Sequence, residues 1–66
     1  MLNAKLAVNV KHRRQENGWS LEMLAEKSDL SVRTVKKIER GDSNPTLKTL
    51  EGLAAAFSSP VEDLFR

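Results

Sequence analysis

The stretch Ser20-Leu-Glu-Met-Leu-Ala-Glu-Lys-Ser-Asp-Leu-Ser-Val-Arg-Thr-Val-Lys-Lys-Ile-Glu-Arg-Gly41 reads as two short helices joined by a tight turn, and it decides the fold. Ser20 and Ser31 each stand where a side-chain oxygen can accept from the free amides of a helix's first turn. Asp29, in the joint, is one of the few non-glycine types that tolerate a left-handed backbone. In the second helix Val35 and Ile38 fall on one side, while Arg33, Lys36, Lys37 and Arg40 recur at i, i+3, i+4 and i+7 on the other. At ~100° per residue the two faces are nearly opposed. A helix anchored by one face and cationic on the other has the shape required to enter the major groove of B-DNA, which is ~12 Å wide.

Length and composition bound the rest. Sixty-six residues predict one small domain spanning 1–66, with the helix-turn-helix at about 20–40. Such a chain buries only ~60% of the surface its unfolded form exposes, so the core is marginal and self-association would help it. With no cysteine there is neither a disulfide nor a thiolate metal site, which fits a reducing cytoplasm. The N-terminus offers no long apolar run with a cleavage signal, and nothing approaches the ~20 apolar residues of a membrane span. A cytoplasmic protein without membrane contact is expected. No cofactor, metal or small-molecule ligand is called for by any residue cluster.

The net charge of +2 is unevenly placed. Residues 1–40 hold nine Lys/Arg against five acids, a balance of +4, and residues 41–66 hold two against four, a balance of −2. Ordinary solvated charges would scatter; segregation together with the helical stripe points to a polyanion as partner.

Elsewhere the apolar spacing is helical. Leu2, Leu6 and Val10, with Ala7 beside them, predict a first helix stopping at Asn17-Gly18. Trp19 and Leu24 suit a hydrophobic staple around the capping Ser20, so the tryptophan is read as packing rather than as a base-stacking platform. Gly41 ends the third helix, and Asp42-Ser43-Asn44-Pro45 is a polar turn. Thr46 caps a fourth helix whose core face is Leu47, Leu50, Leu53, Ala54 and Phe57. Gly52 inside it predicts close approach of another backbone. Ser59-Pro60-Val61-Glu62 has the form of a capping box with proline at the first helical position, which predicts a short fifth helix over 60–65.

The string Val10-Lys11-x-x-Arg14, Gly18-Trp19-Ser20, Leu24-Ala25, Ser31, Thr34-Val35, Ile38-Glu39-Arg40-Gly41, Pro45-Thr46-Leu47, Leu50 and Leu53-Ala54 resembles the phage-repressor/Cro (XRE-type) helix-turn-helix family over residues 5–65. The resemblance implies an all-α, compact five-helix lambda-repressor-like fold that binds operator DNA as a symmetric homodimer. It places Val32, Arg33 and Lys37 at base-facing positions, and Lys36 joins them on the same cationic face. Arginine and lysine can donate to guanine O6 and N7, and valine can contact a thymine methyl. Ser20, with the amides opening the second helix, matches a phosphate-binding position, as do Arg40, Asn44 and Thr46 around the loop after the third. Arg14 and Glu39 match positions that pair across the first and third helices. Two departures alter the pattern: Leu21 stands where the family commonly has glutamine, and Asp29 where it has a turn glycine.

An enzyme is not indicated, because His12 is the sole histidine and no carboxylate pair, nucleophile elbow or glycine-rich phosphate loop accompanies it. The competing reading is a small helical protein-interaction module, including an antitoxin that binds a toxin as well as its own promoter. The shared cationic face separates the two, since an interaction module has no need to keep Arg33, Lys36, Lys37 and Arg40 together. Occupancy of a promoter suffices for repression, so by analogy a repressor is expected. Val61, Leu64 and Phe65 crowd more apolar surface into residues 60–65 than so short a helix can bury; Leu64 is assigned to the core, and Val61 and Phe65 to a dimer contact.

Overall fold

Hydroxyl side chains set three of the helix starts in the computed structural model, which describes residues 3–66. The first helix, α1 (Ala4–Glu16), opens at Asn3 without a side-chain cap. The next three are capped alike: Ser20 accepts from the Met23 amide to open α2 (Leu21–Ser28), Ser31 from the Thr34 amide to open α3 (Val32–Arg40), and Thr46 from the Thr49 amide to open α4 (Leu47–Ala56). Leu2, expected on the core face of the first helix, lies outside the described residues.

Left-handed residues end these helices. Gly18 at φ 70° and Gly41 at φ 77° follow α1 and α3, and Asp29 at φ 59°, ψ 38° turns the chain between α2 and α3. Asp29 thus does the work of the missing turn glycine, with the Leu30 amide returning to the Ala25 carbonyl at 2.9 Å. Ser58 adopts φ 52°, and the Ser59 amide closes back on the Ala54 carbonyl at 3.0 Å.

The core consists of Leu6 and Val10 from α1, Leu24 and Ala25 from α2, Val35 and Ile38 from α3, Leu53 and Ala54 from α4, and Leu64. Packing brings α2 against α3 and α4, and α1 against α3. A Cβ built on Gly52 would lie 2.5 Å from the Ser28 carbonyl oxygen, so α4 crosses the end of α2 at a distance only glycine permits.

Two expectations are corrected. The described residues form four α-helices and a 3₁₀ helix, Val61–Phe65, in place of a fifth α-helix. Its predicted capping box does not form: no side chain caps the turn, the Ser59 hydroxyl accepts from Arg13 Nη1 at 2.8 Å, and the five residues Val61–Phe65 close only a tight turn, with the Asp63 amide on the Pro60 carbonyl. Leu47, placed on the core face of α4, is 65% exposed. On the helical wheel it lies roughly 70° from the centre of the arc formed by Leu50, Leu53, Ala54 and Phe57, at the edge of the buried stripe. Among the described residues no helix is long and apolar enough to cross a membrane.

Candidate nucleic-acid interface

Helix α3 is held by Val35 and Ile38, 0% and 1% exposed, which leaves Arg33, Lys36, Lys37 and Arg40 in solvent on the other side. Val32, the first residue of the helix, is half-buried against the core edge. The sequence stripe is therefore a real surface: four cations on nine residues of helix.

Ser20 is exposed and its oxygen is engaged by the Met23 amide, so its hydroxyl proton remains free to donate outward. Arg40 lies 3.4 Å from the Asp42 carboxylate, both exposed, which partly offsets the charge of this candidate phosphate ligand. Asn44 and Thr46 are exposed and line a groove of about 180 Å³ between α3 and the start of α4, together with Lys37, Thr34 and Thr49. The repeated spacing Ser31-x-x-Thr34 and Thr46-x-x-Thr49 brings Thr34 and Thr49 to this groove. Both caps use the same device: the hydroxyl of Ser31 or Thr46 accepts from the amide three residues on and donates to that residue's hydroxyl, at 2.9 Å for Ser31–Thr34 and 3.1 Å for Thr46–Thr49. The result is a polar wall beside Lys37.

What aims α3 lies behind it. Arg14 on α1 donates from Nε to Glu39 Oε2 at 2.7 Å and from Nη2 to Oε1 at 3.1 Å, while Nη1 reaches the Trp19 carbonyl at 2.9 Å. The hydrogen bond to Glu39 raises the Arg14 pKa above its ordinary value against an opposing burial effect, so the guanidinium is always charged. One side chain thus fixes α1, the α1–α2 loop and α3 relative to each other. Trp19 packs against the core, its ring parallel to that of Phe57 at 5.6 Å between centroids and 8° between planes. Lys27 Nζ caps the tryptophan face at 4.9 Å, and the Arg13 guanidinium lies 5.9 Å from the Phe57 centroid. This column was invisible in the sequence, because its four members come from α1, the following loop, α2 and the end of α4.

Residues 10–64 match the helix-turn-helix family HTH_3. The chain belongs to that family. It is 38% identical over 60 residues to the HTH-type transcriptional regulator DdrOP3 of Deinococcus deserti, covering 91% of this chain and 46% of that protein. It is 40% identical over 55 residues to the HTH-type transcriptional regulator SutR of Escherichia coli, covering 83% and 31%. The chain thus spans less than half the length of either relative. The crystal structure of the restriction-modification controller protein C.AhdI from Aeromonas hydrophila has the same fold, with TM-score 0.88, 32% identity and 94% of each chain covered.

In this helix-turn-helix protein the expected core position of Leu64 holds, whereas Val61, assigned with Phe65 to a subunit contact, packs partly against the core. Leu64 is fully buried, Val61 is half-buried against the core, and Phe65 is 40% exposed. Asn9 Nδ2 donates to the Leu64 carbonyl at 2.8 Å and ties the 3₁₀ turn to α1.

Proposed function

We propose that this chain is the DNA-binding part or the whole of a transcriptional regulator, acting on double-stranded DNA through α3 in the major groove. The observation that carries the reading is the opposition on α3: an apolar face sealed into the core and, behind it, four solvent-exposed cations. Arg33, Lys36, Lys37 and Val32 read base edges, and Ser20, Arg40, Asn44 and Thr46 hold phosphates on either side. The names of the relatives agree with this reading, DdrOP3 and SutR being HTH-type transcriptional regulators and C.AhdI a restriction-modification controller protein.

The finer reading is a repressor that binds a near-palindromic operator as a homodimer. Val61 and Phe65, with Ser58 and Ser59 beside them, form a small contact about a two-fold axis. That axis sets two copies of α3 ~34 Å apart, one turn of DNA. The contact is modest, so DNA completes the dimer at low protein concentration. A fluorescence-anisotropy titration against DNA upstream of the gene, beside a scrambled duplex of equal length, tests the reading. Tighter binding to the upstream DNA, with an affinity that falls steeply with salt, is expected; equal weak binding to both duplexes would exclude a sequence-specific regulator.

A further inference from the structure

Asn17 and Gly18 close α1, and they are the sole Asn-Gly pair in the sequence. Two features make the pair reactive. Asn17 is exposed, and a Cβ built on Gly18 would meet nothing within 4 Å, so the side-chain face of Gly18 is open to solvent. Without a Cβ of its own, Gly18 also presents the least hindered amide nitrogen of any residue type. In the closed cap both partners are occupied: Asn17 Nδ2 donates to the Arg13 carbonyl at 2.8 Å, and the Gly18 amide to the Gln15 carbonyl at 3.0 Å. Both bonds belong to the last turn of a helix, where opening costs least. Opening frees nucleophile and electrophile together.

We propose that Asn17 is a site of spontaneous main-chain modification. The Gly18 amide nitrogen gives up its proton to water and bonds to Asn17 Cγ, the Cγ–Nδ2 bond breaks, and ammonia leaves behind a five-membered succinimide. Water then adds to one of the two imide carbonyls and cleaves its bond to nitrogen, yielding aspartate or, by the other carbonyl, isoaspartate. The net exchange is one water for one ammonia, with no change of oxidation state. The other asparagines are protected. Asn44 precedes Pro45, which has no N–H to lose. Asn9 lies inside α1 before β-branched Val10 with Nδ2 on the Leu64 carbonyl, and Asn3 precedes Ala4 with Nδ2 on the Ser43 carbonyl at 2.8 Å.

The functional consequence rests on the DNA-binding reading. Either product places a carboxylate at the C-terminal end of α1, where the helix dipole opposes negative charge, and at most about 11 Å along the chain from Ser20. Isoaspartate also adds a methylene to the main chain, which moves the Trp19 amide off the Arg14 carbonyl, its partner at 3.0 Å, and shifts the start of α2. The modification therefore withdraws the Ser20 phosphate site with time.

Prolonged incubation of the full chain in warm, mildly alkaline buffer, followed by peptide mapping with chromatography that separates aspartyl from isoaspartyl peptides, tests the chemistry. Asn17 is expected to convert at least about tenfold faster than Asn3 or Asn9; conversion no faster than at those positions overturns the proposal. An Asn17→Ser protein carried through the same incubation should keep its original affinity. The separated isoaspartyl form should bind the upstream duplex about fivefold more weakly than fresh protein at low salt, and equal affinity overturns the functional consequence. Failure of the fresh protein to bind any duplex instead overturns the DNA reading, while the peptide map still judges the modification.

Discussion

Arg14 and Glu39, 25 positions apart in sequence, meet as a two-point ion pair with side chains 14% and 8% exposed. The pair is shielded from water, and its third hydrogen bond holds the Trp19 carbonyl just ahead of the residue that caps α2. Replacing Arg14 leaves the Glu39 carboxylate, largely shielded, without its partner. Thermal and urea unfolding of Arg14→Met should show a loss of ~3–5 kcal/mol; a loss below ~1 kcal/mol would place the pair among solvent-screened surface contacts.

Gly52 and Ser58 make opposite predictions from backbone geometry. A methyl at position 52 must displace the Ser28 carbonyl, so Gly52→Ala should destabilise by ~1–3 kcal/mol even though alanine is the better helix former. Ser58 holds a left-handed conformation at a cost glycine does not incur, and Ser58→Gly should stabilise by ~0.5–1 kcal/mol. Denaturant midpoints of the two variants beside the parent decide the point, and a stable Gly52→Ala would mean the helices can separate freely.

The Asp42 carboxylate beside Arg40 predicts a gain of function. Asp42→Asn keeps the side-chain shape, removes the negative charge 3.4 Å from the guanidinium, and should tighten binding to every duplex severalfold while steepening the salt dependence. Unchanged affinity across sequences would indicate that Arg40 does not meet a phosphate.

The parts of this fold governed by local chemistry could be read in order along the chain. Ser20, Ser31 and Thr46 cap helices because a hydroxyl at that position satisfies an amide three residues on, and Gly18, Asp29 and Gly41 end them because few residue types tolerate positive φ. The amphipathic split of α3 follows from spacing alone. Other features depend on partners remote in sequence. Ser59 has the pattern of a capping residue, yet its hydroxyl serves Arg13, 46 positions away, and the turn that follows is a 3₁₀ helix without a side-chain cap. Leu47 has helical spacing with the core residues but lies at the edge of their arc on the first residue of α4, and it stays exposed. The Trp19–Phe57 stack and the groove shared by Thr34, Lys37 and Thr49 require the tertiary arrangement before they exist.

Phe65 tests the dimer. If its exposed ring forms the two-fold contact, Phe65→Glu should sediment as a monomer at concentrations where the parent self-associates and should lose cooperative binding to a two-half-site duplex. Leu64, buried in the core, provides no such separation of stability from assembly. A variant that keeps both self-association and cooperativity would locate the subunit contact elsewhere.

The reading role of α3 is tested most directly by anisotropy titrations of Arg33→Ala and Arg40→Ala on the preferred duplex, on duplexes altered one base pair at a time, and on random DNA. Arg33→Ala is expected to lose ~1–3 kcal/mol on the preferred site and to relax discrimination at one base pair, whereas Arg40→Ala should weaken binding to all sequences alike and reduce the salt slope by about one unit. Equal losses for both variants on preferred and random DNA would contradict the account, because the exposed face of α3 would then attract DNA without reading it.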